Sequence, residues 1–221
     1  MKIPMRTRRL GTAERKPLTD EQRAKFERYL AEILATLGLN LDTPGTRETP
    51  RRMLKWLADL TGGLDGDPRL VTTFPRECDV PAHKYDQIFE GPIAVSGVCE
   101  HHVLPMEGVV YIGIVGATGS HPKILGISKF ERIARWAARR FTVQERINCE
   151  IADTVTELVQ PDGVAVVSRM THGCTRLRGV KAREADTVME TWQGIYQTHP
   201  ELMANFKAVI AMKEHRSLLP V

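Results

Sequence analysis

The segment SKFERIARWAARRFTVQERINCEIADTVTELVQPDGVAVV, residues 128–167, holds two helical patterns followed by a strand. Ser128 with Glu131 and Thr142 with Glu145 read as capping boxes, each opening a helix. Phe130, Ile133, Ala134 and Ala137 recur at helical spacing in the first, and Ile147, Ile151, Val155 and Leu158 in the second. Pro161-Asp162-Gly163 then turns the chain into the β-rich run Val164-Ala165-Val166-Val167. Upstream, strand character begins near Gln87 and is clearest over Val109–Val115, with turn residues from Ala117 to Lys123 before Ile124-Leu125. Downstream, Asp186–Tyr196 reads as a further strand and Pro200–Met212 as a last helix. Two strands, two helices and two strands in that order predict an α+β domain over residues 86–221.

A helical section precedes it. Thr19-Asp20-Glu21-Gln22 is a capping box, after which Phe26, Tyr29, Leu30, Ile33, Leu34 and Leu37 keep helical spacing until Gly38. A second helix opens at Thr49-Pro50, where Pro suits the first helical position, and stops near Gly62-Gly63. Met53, Leu54, Leu57 and Leu60 form its apolar stripe, while Arg52 and Lys55 lie on another face. Residues 63–85 show no clear period and read as a connector, which makes 19–85 one section.

The net charge of +4 belongs to residues 1–20, where Lys2, Arg6, Arg8, Arg9, Arg15 and Lys16 outnumber Glu14 and Asp20. Residues 1–18 read as a solvated, disordered basic tail. The rest of the chain is charge-balanced, which argues against nucleic acid as a partner. No apolar run approaches the roughly 20 residues that span a bilayer, so no membrane role is expected. Four Cys without dense spacing do not make a disulfide framework, and a reducing cytoplasm fits them.

Chemistry is concentrated in Cys99-Glu100-His101-His102 and in Thr171-His172-Gly173-Cys174. Cys and His are the residue types zinc prefers, and Cys99 and His102 are close enough in sequence to share one ion. Adding Cys174 makes three protein ligands, which leaves a position for water, as in a catalytic site. His101 and His172 put a titratable imidazole beside the proposed ligands, the equipment of metal-assisted hydrolysis. A zinc finger needs four ligands in two short pairs, and Cys78 and Cys149 pair with nothing nearby. Base deaminases need His-x-Glu followed by Pro-Cys-x-x-Cys, which is absent. Spacing favours a catalytic zinc without naming the reaction.

Five blocks together resemble the GTP cyclohydrolase I family. They are Cys99-Glu100-His101-His102 with Leu104-Pro105, Gly126-Ile127-Ser128-Lys129 with Arg132, Val143-Gln144-Glu145-Arg146, His172-x-Cys174 with Arg178-Gly179, and Glu48-Thr49-Pro50 with Arg52 and Lys55. The resemblance runs in order over roughly residues 20–210. It implies a tunnelling fold (T-fold), a four-stranded antiparallel sheet with two long helices. It also implies a homo-oligomer, a decamer of two pentamers with active sites at subunit interfaces, which removes the open sheet edges.

The implied reaction is zinc-dependent hydrolysis of GTP at guanine C8, with loss of formate and rearrangement to 7,8-dihydroneopterin triphosphate. By resemblance Cys99, His102 and Cys174 hold Zn2+, His172 protonates the imidazole ring of guanine, and His101 and Glu100 complete the catalytic set. Ser128, Lys129, Arg132 and Arg178 match triphosphate-binding positions, with Arg52 and Lys55 adding charge, because no Walker A loop exists here. Gln144 and Glu145 complete the substrate-binding set, Glu145 matching the carboxylate that accepts from guanine. Gly97 (usually Ser or Thr), Met106 (usually Phe) and residues 187–191 depart from the pattern. They suggest a divergent member whose product enters a folate, other pterin or 7-deazapurine route. A non-catalytic or altered-substrate T-fold paralogue is the alternative, and the intact Cys-Glu-His-His block speaks against a related nitrile reductase.

Overall fold

The computed structural model describes residues 11–75, 86–116 and 123–216. Helix α1 (Asp20–Thr36) starts with the capping box as read: Gln22 N donates to Thr19 Oγ1, and Thr19 N donates to Gln22 Oε1. It ends in a Schellman motif, with Gly38 at φ 98° donating to Ala35 O and Leu39 N donating to Leu34 O. Helix α2 (Thr49–Leu60) begins at Thr49-Pro50 and packs on α1. No residue of α1 is buried, and Tyr29, Ile33 and Leu37 are half or more exposed.

Two stretches of the N-terminal half carry more structure than their sequence pattern states. Two 3-10 turns, Gly62–Asp65 and Pro68–Val71, run into the expected 63–85 connector, and Leu70 enters the core. Gly63 permits this, because its N–H donates to Arg139 O at 2.8 Å and a Cβ there would sit 2.4 Å from Trp136 O. The tail expected to be disordered over 1–18 is seated from Gly11 onward. Glu14 N and Arg15 N both donate to Leu64 O. The Arg15 guanidinium reaches Asp65, Thr61 and Ala58 O, and Glu14 pairs with the buried Arg140 at 3.3 Å. These contacts tie the tail and the 3-10 turns to the domain that follows. Residues 1–10, 76–85 (with Cys78) and 117–122 lie outside the described residues.

That domain has five strands in the order β5-β2-β3-β6-β7, after a two-residue β1 (Phe74–Pro75) that pairs with β4 (Lys123–Ile124). The long strands β2 (Gln87–Cys99), β3 (Pro105–Val115), β6 (Gly163–His172) and β7 (Thr187–Gly194) are antiparallel. They form the expected four-stranded sheet. Two residues, β5 (Phe141–Thr142), add a parallel partner at the end of β2. Helices α3 (Ile127–Ala138) and α4 (Gln144–Val159) cover one face, where Phe130, Ile133, Ile147 and Ile151 meet Val95, Val110, Ile112 and Val166. A one-turn helix α5 (Gly173–Arg176) follows β6. The last helix, α6 (Pro200–Arg216), covers the other face through Leu202 and Phe206 against Tyr111, Ala165 and Val167. Along β3 and β6 residues alternate between the two covered faces, Val110, Ile112, Val164 and Val166 on one and Tyr111, Ala165 and Val167 on the other. Among the described residues no helix is long and apolar enough to cross a membrane.

The capping boxes read at Ser128 and Thr142 do not form. Gly126 and Val143 are the N-caps, and neither α3 nor α4 has a side-chain cap. Ser128 falls one residue inside its helix. Thr142 is drawn into β5, where its carbonyl accepts from Glu100 N at 3.2 Å.

Gly97 and Met106 are cross-strand partners. A Cβ on Gly97 would lie 2.4 Å from Ala138 O and 3.5 Å from Met106 Cε. The two departures are therefore one packing arrangement, in which the end of α3 touches β2 and Met106 fills the neighbouring space. Gly97→Ala is expected to cost about 1–3 kcal/mol through overpacking. Urea unfolding of parent and variant checks this, and an unchanged midpoint would show that α3 yields.

Candidate metal centre and active site

β2 delivers Cys99 to a tight turn in which Val103 N donates to Cys99 O and Cys99 N donates to Leu104 O, both at 2.9 Å. Val103 takes φ 54°, a costly conformation for a β-branched residue, held by these two bonds. The turn folds His102 back, so that its Nδ1 lies 3.7 Å from Cys99 Sγ, with His101 Nδ1 at 3.9 Å. The third group arrives from β6. His172 is paired with Met106, so the chain beyond it crosses the mouth of the turn. Gly173 makes the crossing possible, since a Cβ there would be 2.8 Å from Pro105 O. Cys174 follows, and one ligand atom each from Cys99, His102 and Cys174 lie within 4.8 Å of one another.

These residues fit zinc. Two sulfurs and one nitrogen are its preferred donors, and tetrahedral coordination at the usual bond lengths separates sulfur from nitrogen by about 3.6 Å. The Cys99–His102 spacing of 3.7 Å already matches that value. Without an ion, burial pushes the Cys174 thiol up, and its hydrogen bond with Cys99 adds to this.

Glu100 is outside the three-donor set and is gripped by Arg146, Nη1 to Oε2 at 2.5 Å and Nη2 to Oε1 at 3.1 Å. The guanidinium hydrogen bond holds the carboxyl below its ordinary range. The pair's contribution is thus full at neutral pH and is lost only as pH falls through that lowered value. On the other side, His172 Nε2 lies 2.9 Å from Gln144 Oε1.

A second cluster lies around a cavity of about 590 Å³ lined by Ser128, Arg132, Arg135, Arg139, Asp67 and Arg69, among others. Arg132 pairs with Asp67 at 3.3 Å, and the buried Lys129 donates to Arg69 O. Arg69 and then Arg132 hold the Asp67 carboxyl low. Ser128 and Ala138 are ten residues apart on α3, about 15 Å along its axis. Because Ala138 abuts Gly97, two residues before Cys99, Ser128 and Lys129 sit at the end of α3 away from that strand, while the cavity that Ser128 borders runs along the helix to Arg139.

The sequence profile of the GTP cyclohydrolase I family matches residues 26–211. The chain belongs to the GTP cyclohydrolase I family. A protein named GTP cyclohydrolase 1 from Thermoanaerobacter pseudethanolicus is 35% identical over 190 residues, which cover 86% of this chain and 97% of its own. Proteins of the same name from Saccharolobus islandicus and Sulfolobus acidocaldarius are 34% and 33% identical, covering 83% and 88% of this chain and 89% and 94% of theirs. Among solved structures, an apo archaeosine synthase QueF-Like overlaps 48% of this chain and 92% of its own at TM-score 0.34 and 16% identity, too slight a likeness to bear on function.

For this member of the GTP cyclohydrolase I family, the residues singled out from the sequence fall into three groups. Cys99, Glu100, His101, His102, His172 and Cys174 come together at the strand ends, with the exposed Glu145 in the nearby first turn of α4 and Arg178 exposed beyond α5. Ser128, Lys129 and Arg132 gather at the far end of α3. Arg52 and Lys55 stay on α2, bonded to Gly45 O and Asp59. Gln144, expected among the substrate-binding residues, has its side-chain bonds inside the protein. It is buried behind His172. Sequence reasoning assigned nothing to Arg146 or Asp67, whose partners Glu100 and Arg132 lie 46 and 65 residues away, nor to Arg69, which pairs with Asp67 two residues before it.

Proposed function

We propose that the chain catalyses zinc-dependent hydrolysis of GTP at guanine C8, releasing formate and yielding 7,8-dihydroneopterin triphosphate. The observation that carries this reading is the convergence of Cys99, His102 and Cys174, with His172 two residues away. Bound there, zinc supplies Lewis acidity and a fourth position open to water. His172 donates a proton to guanine N7, which makes C8 electrophilic enough for water to add. The C8–N9 bond then opens, leaving the formyl group on N7 as a formamide, and a second water hydrolyses that amide to release formate. His101 assists these proton transfers. Glu100, kept anionic by Arg146, is an acceptor and not an acid. Glu145 accepts from guanine N1–H and the exocyclic amine, two charge-assisted bonds that adenine cannot make.

Ser128, Lys129, Arg132 and Arg178 hold the triphosphate, with Arg52 and Lys55 contributing charge; phosphate oxygens take the place of Asp67 on Arg132. The separation of Ser128 and Lys129 from the metal centre along α3 supports active sites shared between subunits. The edge of β7, unpaired among the described residues, and the exposed Tyr29, Ile33 and Leu37 support assembly, which we read as a decamer of two pentamers in the cytoplasm. A non-catalytic paralogue has no use for an open three-donor set.

Incubating the purified protein with zinc and GTP, then measuring formate and the fluorescence of the oxidised pterin, tests the reading. Both products are expected in equal amounts. Absence of formate would overturn it.

A further inference from the structure

We infer that Gln144 is a positioning residue that holds the His172 ring with hydrogen on Nε2, leaving Nδ1 as the atom that carries the proton to and from substrate. The inference rests on the proton-transfer role proposed for His172. It begins with the orientation of the Gln144 amide. Gln144 is 1% exposed, and its Nε2 lies 3.2 Å from Ser168 O, 3.0 Å from Thr187 O and 2.9 Å from Ser168 Oγ. Two of these neighbours are carbonyl oxygens, which only accept, so the nitrogen of the amide must face them. The opposite end, Oε1, is then fixed toward His172 Nε2 at 2.9 Å. An amide oxygen only accepts as well, so the ring nitrogen it meets carries hydrogen. In the neutral ring the lone pair is therefore on Nδ1, which has no hydrogen-bond partner among the described residues.

The support for Gln144 is itself rigid. Ser168 and Thr187 belong to adjacent strands, β6 and β7, and Gln144 opens the helix lying across them. One turn further along α4, Asn148 repeats the arrangement, its Nδ2 3.1 Å from Met189 O and 3.4 Å from Val166 O. The side chain of α4's first residue thus reads the sheet backbone and passes the orientation to His172. This gives Gln144 a different part from that of Glu145, its exposed neighbour.

The test uses the zinc-loaded, full-length protein. Solid-state 15N spectra of histidine-labelled parent, with the seven histidines sorted by a His172→Ala sample, are expected to show the neutral His172 ring with hydrogen on Nε2 and none on Nδ1. Gln144→Met keeps the bulk and removes the acceptor. It should give a mixture of tautomers and a kcat lowered about 10–100-fold, the range found when the partner that orients a metal-bound histidine is removed. The KM for GTP should stay within about twofold of the parent's. Gln144→Glu, whose carboxyl when protonated can donate to one of the two carbonyls and accept from His172, should recover the tautomer and part of kcat. A raised KM with parental kcat in Gln144→Met would make Gln144 a substrate-binding residue and overturn the inference. So would hydrogen on Nδ1 in the parent spectrum, a result that needs no variant to fold. Failure of the parent to release formate would sink the proposed function, while the parent spectrum would still judge the tautomer.

Discussion

Cys174→Ser is expected to weaken zinc binding by well over 100-fold and to abolish formate release. Orienting partners of a metal ligand already cost about 10–100-fold when removed, and Cys174 is proposed as a ligand itself. Its place in the fold makes the loss more severe. Cys99 and His102 share one turn, so any ion they hold is clamped from one side only. Cys174 is the donor from the other side, carried across the turn by Gly173 against Pro105. A serine hydroxyl at this position stays protonated near neutral pH, whereas zinc lowers a thiol's pKa and binds the thiolate. Elemental analysis after dialysis checks the metal, and formate release checks turnover. Cys149→Ser is the control, because Cys149 is exposed on α4 and outside the three-donor cluster. It should keep both metal and activity. Full zinc occupancy in Cys174→Ser would remove Cys174 from the ligand set.

His172→Ala should lower turnover by about 10²–10⁴-fold, the range that a positioned proton donor contributes, while zinc stays bound. The imidazole lies outside the three-donor cluster, so its removal does not subtract a ligand. The substitution does leave the Gln144 oxygen without its partner in a buried place, and a water can enter the space of the lost ring. Structural damage should therefore be small beside the catalytic loss. Comparing kcat, zinc content and the thermal midpoint separates the two. A variant that turns over GTP at the parent rate would exclude His172 from proton transfer.

The chain's periodicities were sufficient for the α+β order, for both ends of α1, for the start of α2 and for the strand-helix-strand succession. Those features depend on neighbours three or four residues away, or on alternation along one strand, and such patterns are written locally. The Cys-Glu-His-His turn is legible for the same reason. Cys174 could be joined to it from the sequence only through residue chemistry and family resemblance, because nothing local states that β6 ends beside β2. Tertiary structure decided what depends on register and close approach. The Ser128 and Thr142 caps failed because β5 pairing and the true helix starts outcompeted a local motif. The pairing of Gly97 with Met106 turned two separate departures into one packing unit. Gln144 is the clearest case: the sequence places it beside Glu145, but only the β6–β7 register supplies the carbonyls that turn its amide and aim it at His172. A side chain with a donor at one end and an acceptor at the other takes its orientation from whatever surrounds it, and those surroundings come from residues 24 and 43 positions away.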